Sequence, residues 1–330
     1  TVVINKNVTG NAFTVAAGTS INLGVSPTST ASFTSADITN NGTITIPSGT
    51  WTVNAGSVGV SLINAGTITH AGDGWDMNNA HLTNNNGATI AYSGASITTD
   101  RNFTQNGTFD LSGKTITFNT DIANNDDSTL SGSTTLQGNI VINKTDVGSD
   151  FNLGSNVTVQ GDFTRTDGII NNPASAYTLT VEGDVSISST DVTGGSNFTL
   201  ALTGNSGSTV NLNAGDFDGK LLIDKPSGTS ATLLTSFTTS AETCTISGGI
   251  LDLNGNDFTC GSTFTVEDDG TLEMHGNETV TTPTFDASST ALYTGTGTFN
   301  GLAAGNTYSN LDIDSGLVGY WKLDDGSGST

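Results

Sequence analysis

One phrase, a turn followed by a short strand, returns along the chain at nearly constant spacing, and no other feature narrows the fold so far. It reads Asn41-Gly42-Thr43-Ile44-Thr45-Ile46, then Ala65-Gly66-Thr67-Ile68-Thr69-His70, Asn86-Gly87-Ala88-Thr89-Ile90 and Asn106-Gly107-Thr108-Phe109-Asp110-Leu111. A weaker copy stands at Asp126-Asp127-Ser128-Thr129-Leu130. The glycine-equivalent positions step by 24, 21, 20 and 20 residues. The second half keeps the beat, with Gly249-Ile250-Leu251, Gly270-Thr271-Leu272 and Ser289-Thr290-Ala291 spaced by 21 and 19 residues. A fixed period of this size marks a repeat architecture, in which each unit buries its apolar face against the next.

The chemistry of the phrase agrees with that reading. Asn-Gly and Asp-Gly accept the left-handed backbone of a sharp corner. The Thr-Ile-Thr-Ile that follows alternates with period two, giving one apolar and one polar face. β-Branched residues suit such a pleated surface, and no segment holds a helical period for more than a turn. Tandem β-sandwiches would need about 100 residues per unit and a buried Trp or Tyr corner. The short step and the 7% aromatic content favour the alternative. The expected fold is all-β: a parallel β-helix (β-solenoid) over residues 1–315, with rungs of about 20 residues. A longer period overlies the short one. Val3-Ile4-Asn5-Lys6 resembles Leu62-Ile63-Asn64, Val141-Ile142-Asn143-Lys144, Leu222-Ile223-Asp224-Lys225 and Asp312-Ile313-Asp314. Their isoleucines lie 59, 79, 81 and 90 residues apart, which groups the rungs into units of about 80–90 residues.

Composition bounds the function. Lys and Arg total 8 against 31 Asp and Glu, a net charge of −23, so the surface repels phosphate backbones and anionic membranes. Nucleic acid is excluded as a partner on this ground. No apolar run approaches the roughly 20 residues of a membrane helix, and no membrane insertion is expected. Thr1 opens without an initiator Met or a basic-then-apolar leader, the pattern of a trimmed start. The Asn/Thr/Gly bias with so little Lys is associated with exported proteins, and the expected location is extracellular, at a cell surface.

The phrases Gly249-Ile250-Leu251-Asp252-Leu253-Asn254-Gly255 and Gly161-Asp162-Phe163-Thr164, with the recurring Ile-Asn-Lys line, resemble the repeat regions of bacterial surface proteins and adhesins. That resemblance implies a right-handed parallel β-helix of the pectin-lyase or filamentous-haemagglutinin type. It covers nearly the whole chain and specifies architecture better than activity. A second resemblance lies at residues 316–330. Gly316-Leu317-Val318-Gly319-Tyr320-Trp321-Lys322-Leu323-Asp324-Asp325-Gly326 is similar to the opening strand of a laminin-G-like, concanavalin-type jelly roll. It implies a linker and the first strand of a further module.

Candidate chemistry is thin. Glu267-Asp268-Asp269, Asp324-Asp325 and Asp126-Asp127 are adjacent carboxylates, but neighbours in a strand point to opposite faces and Asp is common in turns. The basic residues a lyase needs are scattered singly (Lys6, Arg101, Lys114, Lys144, Arg165, Lys220, Lys225, Lys322). No enzyme is expected. The densest polar run spans His70, Asp73, Trp75, Asp76, Asn78, Asn79 and His81. One reading makes it a metal site or, ahead of zinc because no His-x₃-His spacing exists, a sugar-stacking platform with Trp51, Trp75, Asp73 and Asp76 as glycan contacts. The other makes His70 an inward residue in step with Ile46 and Leu111, beside a long turn. No cofactor is required. Carboxylates suit Ca²⁺, yet neither an EF-hand loop nor a Gly-Gly-x-Gly-x-Asp array is present.

Cys244 and Cys260 fall within one repeat, aligned with Phe163 and Val181 and therefore inward. Two free buried thiols and a disulfide are both open. The expected role is a structural extracellular rod, stalk or self-assembling filament, with adhesion as an extension. A carbohydrate-binding module or a polysaccharide-degrading, tailspike-like β-helix is the alternative. The chain enters in phase at Val2-Val3-Ile4 and leaves at Leu311-Asp312-Ile313 with no cap motif, so the expected partners are further copies stacked end to end, or surface glycans.

Overall fold

The computed structural model of the protein describes residues 2–3, 8–9, 12–23, 30–34, 37–54, 60–119, 127–133, 135–145, 148–171, 175–188, 192–212, 217–295, 304–305 and 307–314. The jelly-roll-like phrase at 316–330 lies outside them. The fold is a parallel β-solenoid with turns of about 22 residues and no helix among the described residues. Among the described residues no helix is long and apolar enough to cross a membrane.

Each turn contributes one strand to each of three sheets. In the first sheet Thr43–Ile46, Thr67–His70 and Thr89–Tyr92 stack in register, so that Ile44, Ile68 and Ile90 form one column. In the second, Trp51 stacks on Trp75, then Ile97, Ile116, Ile140, Phe163 and Val185. In the third, Ile38, Leu62, Leu82, Phe103 and Leu130 align. The alternation read from the sequence sets this arrangement: Ile44 and Ile46 are buried, while Thr43 and Thr45 between them stay partly exposed. Burying each Leu, Ile or Val contributes about 1.5–3 kcal/mol. Higher up, the three-strand rhythm fuses. Val192–Leu202 and Phe217–Asp224 run from the third sheet into the first, and Cys244–Asp252 runs from the first into the second.

The repeated Thr43, Thr67, Thr89 and Thr108 are paired neighbours, as the phrase requires. Its other extensions are corrected. Ser128–Gly132 belongs to the third sheet, and the second-half phrases at Gly249, Gly270 and Thr290 belong to the second. The longer period has no counterpart in the stacking. Ile63 lies in the third sheet, Ile142 in the second and Ile223 in the first, because every face uses the same inward–outward alternation. Ile4 lies outside the described residues.

The Asn-Gly corners divide into two kinds. In Asn85–Ala88, Gly87 has φ +79° and the Ala88 N–H donates to the Asn85 carbonyl at 3.0 Å, a four-residue turn that needs glycine at its third position. Gly18 and Gly113 serve the turns 16–19 and 111–114 in the same way. Gly42 and Gly107 instead nest over such turns. A Cβ on Gly107 would lie 2.5 Å from both the Asn85 and Ala88 carbonyl oxygens, and one on Gly42 would collide with those of Ala16 and Thr19. These glycines are there for close stacking, not for a left-handed backbone.

Asparagine is also inside. Asn40, Asn64 and Asn84 are fully buried at the corner from the third sheet to the first. Asn40 Nδ2 donates to Asn64 Oδ1 at 2.7 Å, and Asn64 Nδ2 donates to Asn84 Oδ1 at 2.8 Å. An asparagine ladder thus runs through the interior at this corner. Amides there satisfy the carbonyls and N–H groups that the bend frees from the sheet.

Outside, Asp and Asn side chains link successive turns. Asp37 Oδ1 accepts the Ser61 N–H at 2.9 Å, Asp162 Oδ1 that of Asp184 at 2.9 Å, Asp184 Oδ1 that of Thr209 at 2.7 Å, and Asp257 Oδ1 that of Thr279 at 2.7 Å.

Candidate functional site

The polar run around His70 forms where the first sheet turns into the second. His70 stacks between Ile46 and Tyr92 and is 1% exposed. Its Nδ1 accepts the Gly72 N–H at 2.9 Å, so the proton sits on Nε2, which donates to the Gly74 carbonyl at 2.9 Å. Burial pushes its pKa down to about 4. A neutral imidazole with both nitrogens engaged in the backbone is a brace, and it offers no free nitrogen to a metal or substrate.

The tryptophans are inside with it. Trp51 and Trp75 are 0% and 2% exposed and stack on each other with ring centroids 5.0 Å apart. Tyr92 closes the cluster edge-on to Trp75 at 5.7 Å. The expected glycan platform is therefore corrected, because neither indole presents a face to solvent. Of the other two expected contacts, Asp73 is exposed and Asp76 half-buried, its carboxyl raised above the ordinary range by burial.

Of the adjacent carboxylates, Asp126, Asp324 and Asp325 lie outside the described residues, and the others serve turns and links between turns. Asp127 and Asp268 each accept a backbone N–H from the next turn, from Asp150 at 2.9 Å and Ser288 at 3.0 Å. Asp269 holds φ 68° in a turn. Among the described residues no group of three or more His, Cys, Asp or Glu is placed to hold a metal ion.

Four of the six basic residues among the described residues are interior, which reading by charge alone missed. Arg101, Lys144, Arg165 and Lys225 are 6%, 0%, 1% and 3% exposed. Arg165 occupies the apolar column between Ile142 and Ile187, its guanidinium donating to the Gly168 carbonyl. Lys144 Nζ donates to the carbonyls of Asp100 and Asn119 at 3.4 and 3.3 Å. Lys225 Nζ spans the carbonyls of Thr203 and Ser206 at 2.5 and 3.0 Å, and burial lowers its pKa. These cations cross-brace corners. The inward parity of Phe163 and Arg165 was the signal that could have found the buried Arg165.

Cys244 and Cys260 are joined by a disulfide with a Cα–Cα distance of 6.1 Å, and both are buried. Their alignment with Phe163 and Val181 is corrected: Cys244 stacks between Leu221 and Phe264 in the first sheet, and Cys260 follows the third-sheet strand Phe258–Thr259.

Among the described residues, a surface cleft of about 450 Å³ lies on the first sheet. There Thr108–Phe109 pairs with Thr89–Ile90 on one side, and Thr135–Leu136 pairs with Thr158–Val159 on the other. No backbone pairing joins the two across the cleft among the described residues. Gln105, Thr108, Phe109, Asp110, Ser112 and Gln137 line it. Ser112 donates a backbone N–H to Asp110 at 2.9 Å, and its amide and hydroxyl together hold that carboxyl below the ordinary range. The lining can hydrogen-bond a hydroxylated ligand. Comparison with protein-family models, curated proteins and solved structures finds no match for this sequence or fold.

Proposed function

We propose that the protein is a non-enzymatic, extracellular structural rod that holds other parts of a surface protein at a distance. The observation that carries this reading is the second sheet, which stacks in parallel from Thr30–Thr34 to Asn310–Ile313. Along such a stack stability accrues turn by turn, so length is gained at nearly constant cost per residue. The buried Arg and Lys support the reading, since cations tied to corner carbonyls are not placed to meet a substrate. Self-association belongs to the same proposal: parallel rungs present one hydrogen-bonding pattern throughout, which a second copy can continue. Small-angle scattering and electron microscopy test it. An elongated particle, alone or in end-to-end files, is expected; a compact sphere, or depolymerisation of any polysaccharide, counts against it.

The cleft at Thr108 favours a second reading, contact with neutral glycans. Its hydroxyl, amide and carboxylate groups match sugar hydroxyls, and the net charge of −23 disfavours anionic ones. Saturation-transfer NMR with neutral oligosaccharides should show contacts that Gln137→Ala weakens. Unchanged spectra would remove this reading and leave the rod untouched.

A further inference from the structure

Four Asn-Gly steps fall within the described residues, at Asn41, Asn86, Asn106 and Asn254, and Asn300-Gly301 lies outside them. The dipeptide is chemically labile. The glycine amide nitrogen attacks the asparagine Cγ, a new bond forms between them, the bond from Cγ to Nδ2 breaks and ammonia leaves. Water then opens the cyclic imide at either carbonyl, leaving aspartate or isoaspartate. The step needs a glycine N–H released from other bonds and an asparagine amide able to swing over it.

The two kinds of corner treat this chemistry differently. In the nested corners the N–H is engaged: Gly42 donates to Asn40 Oδ1 at 3.2 Å, and Gly107 to the Asn84 carbonyl at 3.1 Å. Asn106 is held further, its Oδ1 accepting the Ser133 N–H at 3.1 Å. In the open turns, the N–H groups of Gly87 and Gly255 have no acceptor among the described residues. Asn254 is nevertheless anchored, Nδ2 donating to the Leu233 carbonyl at 3.2 Å and the backbone N–H to Asp252 Oδ1 at 2.8 Å. Asn86 is exposed and has no side-chain hydrogen bond among the described residues, and the space beside Gly87 is open, with nothing within 4 Å of a Cβ built there.

We infer that Asn86 is a site of spontaneous modification, converting to aspartate and isoaspartate through attack by the Gly87 nitrogen while the other three steps stay protected. Releasing one backbone hydrogen bond slows attack at Asn41 and Asn106 about tenfold, equivalent to about 1.4 kcal/mol. The product places a new negative charge at an exposed corner of a protein that already carries −23, and isoaspartate lengthens the main chain there by one methylene.

The test is to hold the folded protein in warm, mildly alkaline buffer, digest it at intervals and quantify each peptide by mass spectrometry. A parallel sample in denaturant reports the rates without the fold. Asn86 is expected to convert about tenfold faster than Asn41 and Asn106 in the folded protein, with Asn254 between, and the four rates are expected to converge in denaturant. Equal rates in the folded protein, or Asn41 or Asn106 outpacing Asn86, would overturn the inference. So would an Asn86 that stays intact in the fold while it converts in denaturant.

Discussion

Removing the middle amide of the buried asparagine ladder should cost far more than its small size suggests. Asn64 makes four hydrogen bonds. Its Nδ2 donates to Asn84 Oδ1 at 2.8 Å and to the Thr89 carbonyl at 3.1 Å. Its Oδ1 accepts from Asn40 Nδ2 at 2.7 Å and from the Gly66 N–H at 3.3 Å. Asn64→Ala leaves Asn40 its second acceptor, the Thr67 carbonyl at 2.9 Å. It strands Asn84 Oδ1 and the Gly66 N–H in the interior, each costing about 1–2 kcal/mol, for a total of about 2–4 kcal/mol. The loss is local, because a solenoid opens by turns. Hydrogen exchange of the amides at 65–69 and 84–90 should therefore accelerate, while those beyond residue 150 hold their rates. Asn85→Ala, at a half-buried neighbour with no side-chain bond among the described residues, is the control and should cost under about 0.5 kcal/mol. An Asn64→Ala effect below about 1 kcal/mol, or one equal to the control, would show that water reaches this corner and that the ladder does not bear on stability.

Three further outcomes follow from the same geometry. His70 is neutral in the fold with a pKa of about 4, against 6.5 when unperturbed, so the unfolded state binds the extra proton first. Stability is full above pH 6.5 and should fall by about 3 kcal/mol as pH drops to about 4; in His70→Ile, which extends the Ile46 column, that part of the pH dependence should vanish from urea unfolding. Opening the Cys244–Cys260 bridge, which closes a 16-residue separation, should cost about 3 kcal/mol and lower the melting temperature under reductant, whereas an unchanged melt would mean the bridge constrains nothing. Gly66→Ala would drive a Cβ into the Gly42 carbonyl and should cost about 3 kcal/mol, against about 1 kcal/mol for Gly87→Ala, where only the φ of +79° is strained; calorimetry giving the reverse order would refute the division of corners.

How much of the fold is legible in the sequence depends on what alternation encodes. Thr43, Thr67, Thr89 and Thr108 announce themselves because a rung must return an outward Thr and an inward Ile at each pass. Alternation does not say which face a strand joins, so Ile63, Ile142 and Ile223 look alike while occupying three different sheets. The same ambiguity misplaced Cys244 and Cys260 while leaving their inward direction right. Residue type misled where parity would have served. Trp51, Asn64 and Arg165 are polar or amphipathic by composition and invite a surface role, yet each stands at an inward position of its strand. The cleft at Thr108 had no signal, since it lies between two turns that no pairing joins there among the described residues, and not at any distinctive residue in them.

Most Asp and Asn links to backbone amides between turns share a direction, while the Asn79 N–H, which donates to Asp100 Oδ2 at 3.3 Å, runs the other way. In each of the four described above, the acceptor oxygen lies earlier in the sequence and the donor amide later: Asp37 to Ser61, Asp162 to Asp184, Asp184 to Thr209, Asp257 to Thr279. A turn already in place thus holds out an oxygen at the spot where the next strand must begin, fixing its register before its own side chains have packed. Along these four links, a polypeptide delivered with its N-terminal part first would meet each acceptor already waiting.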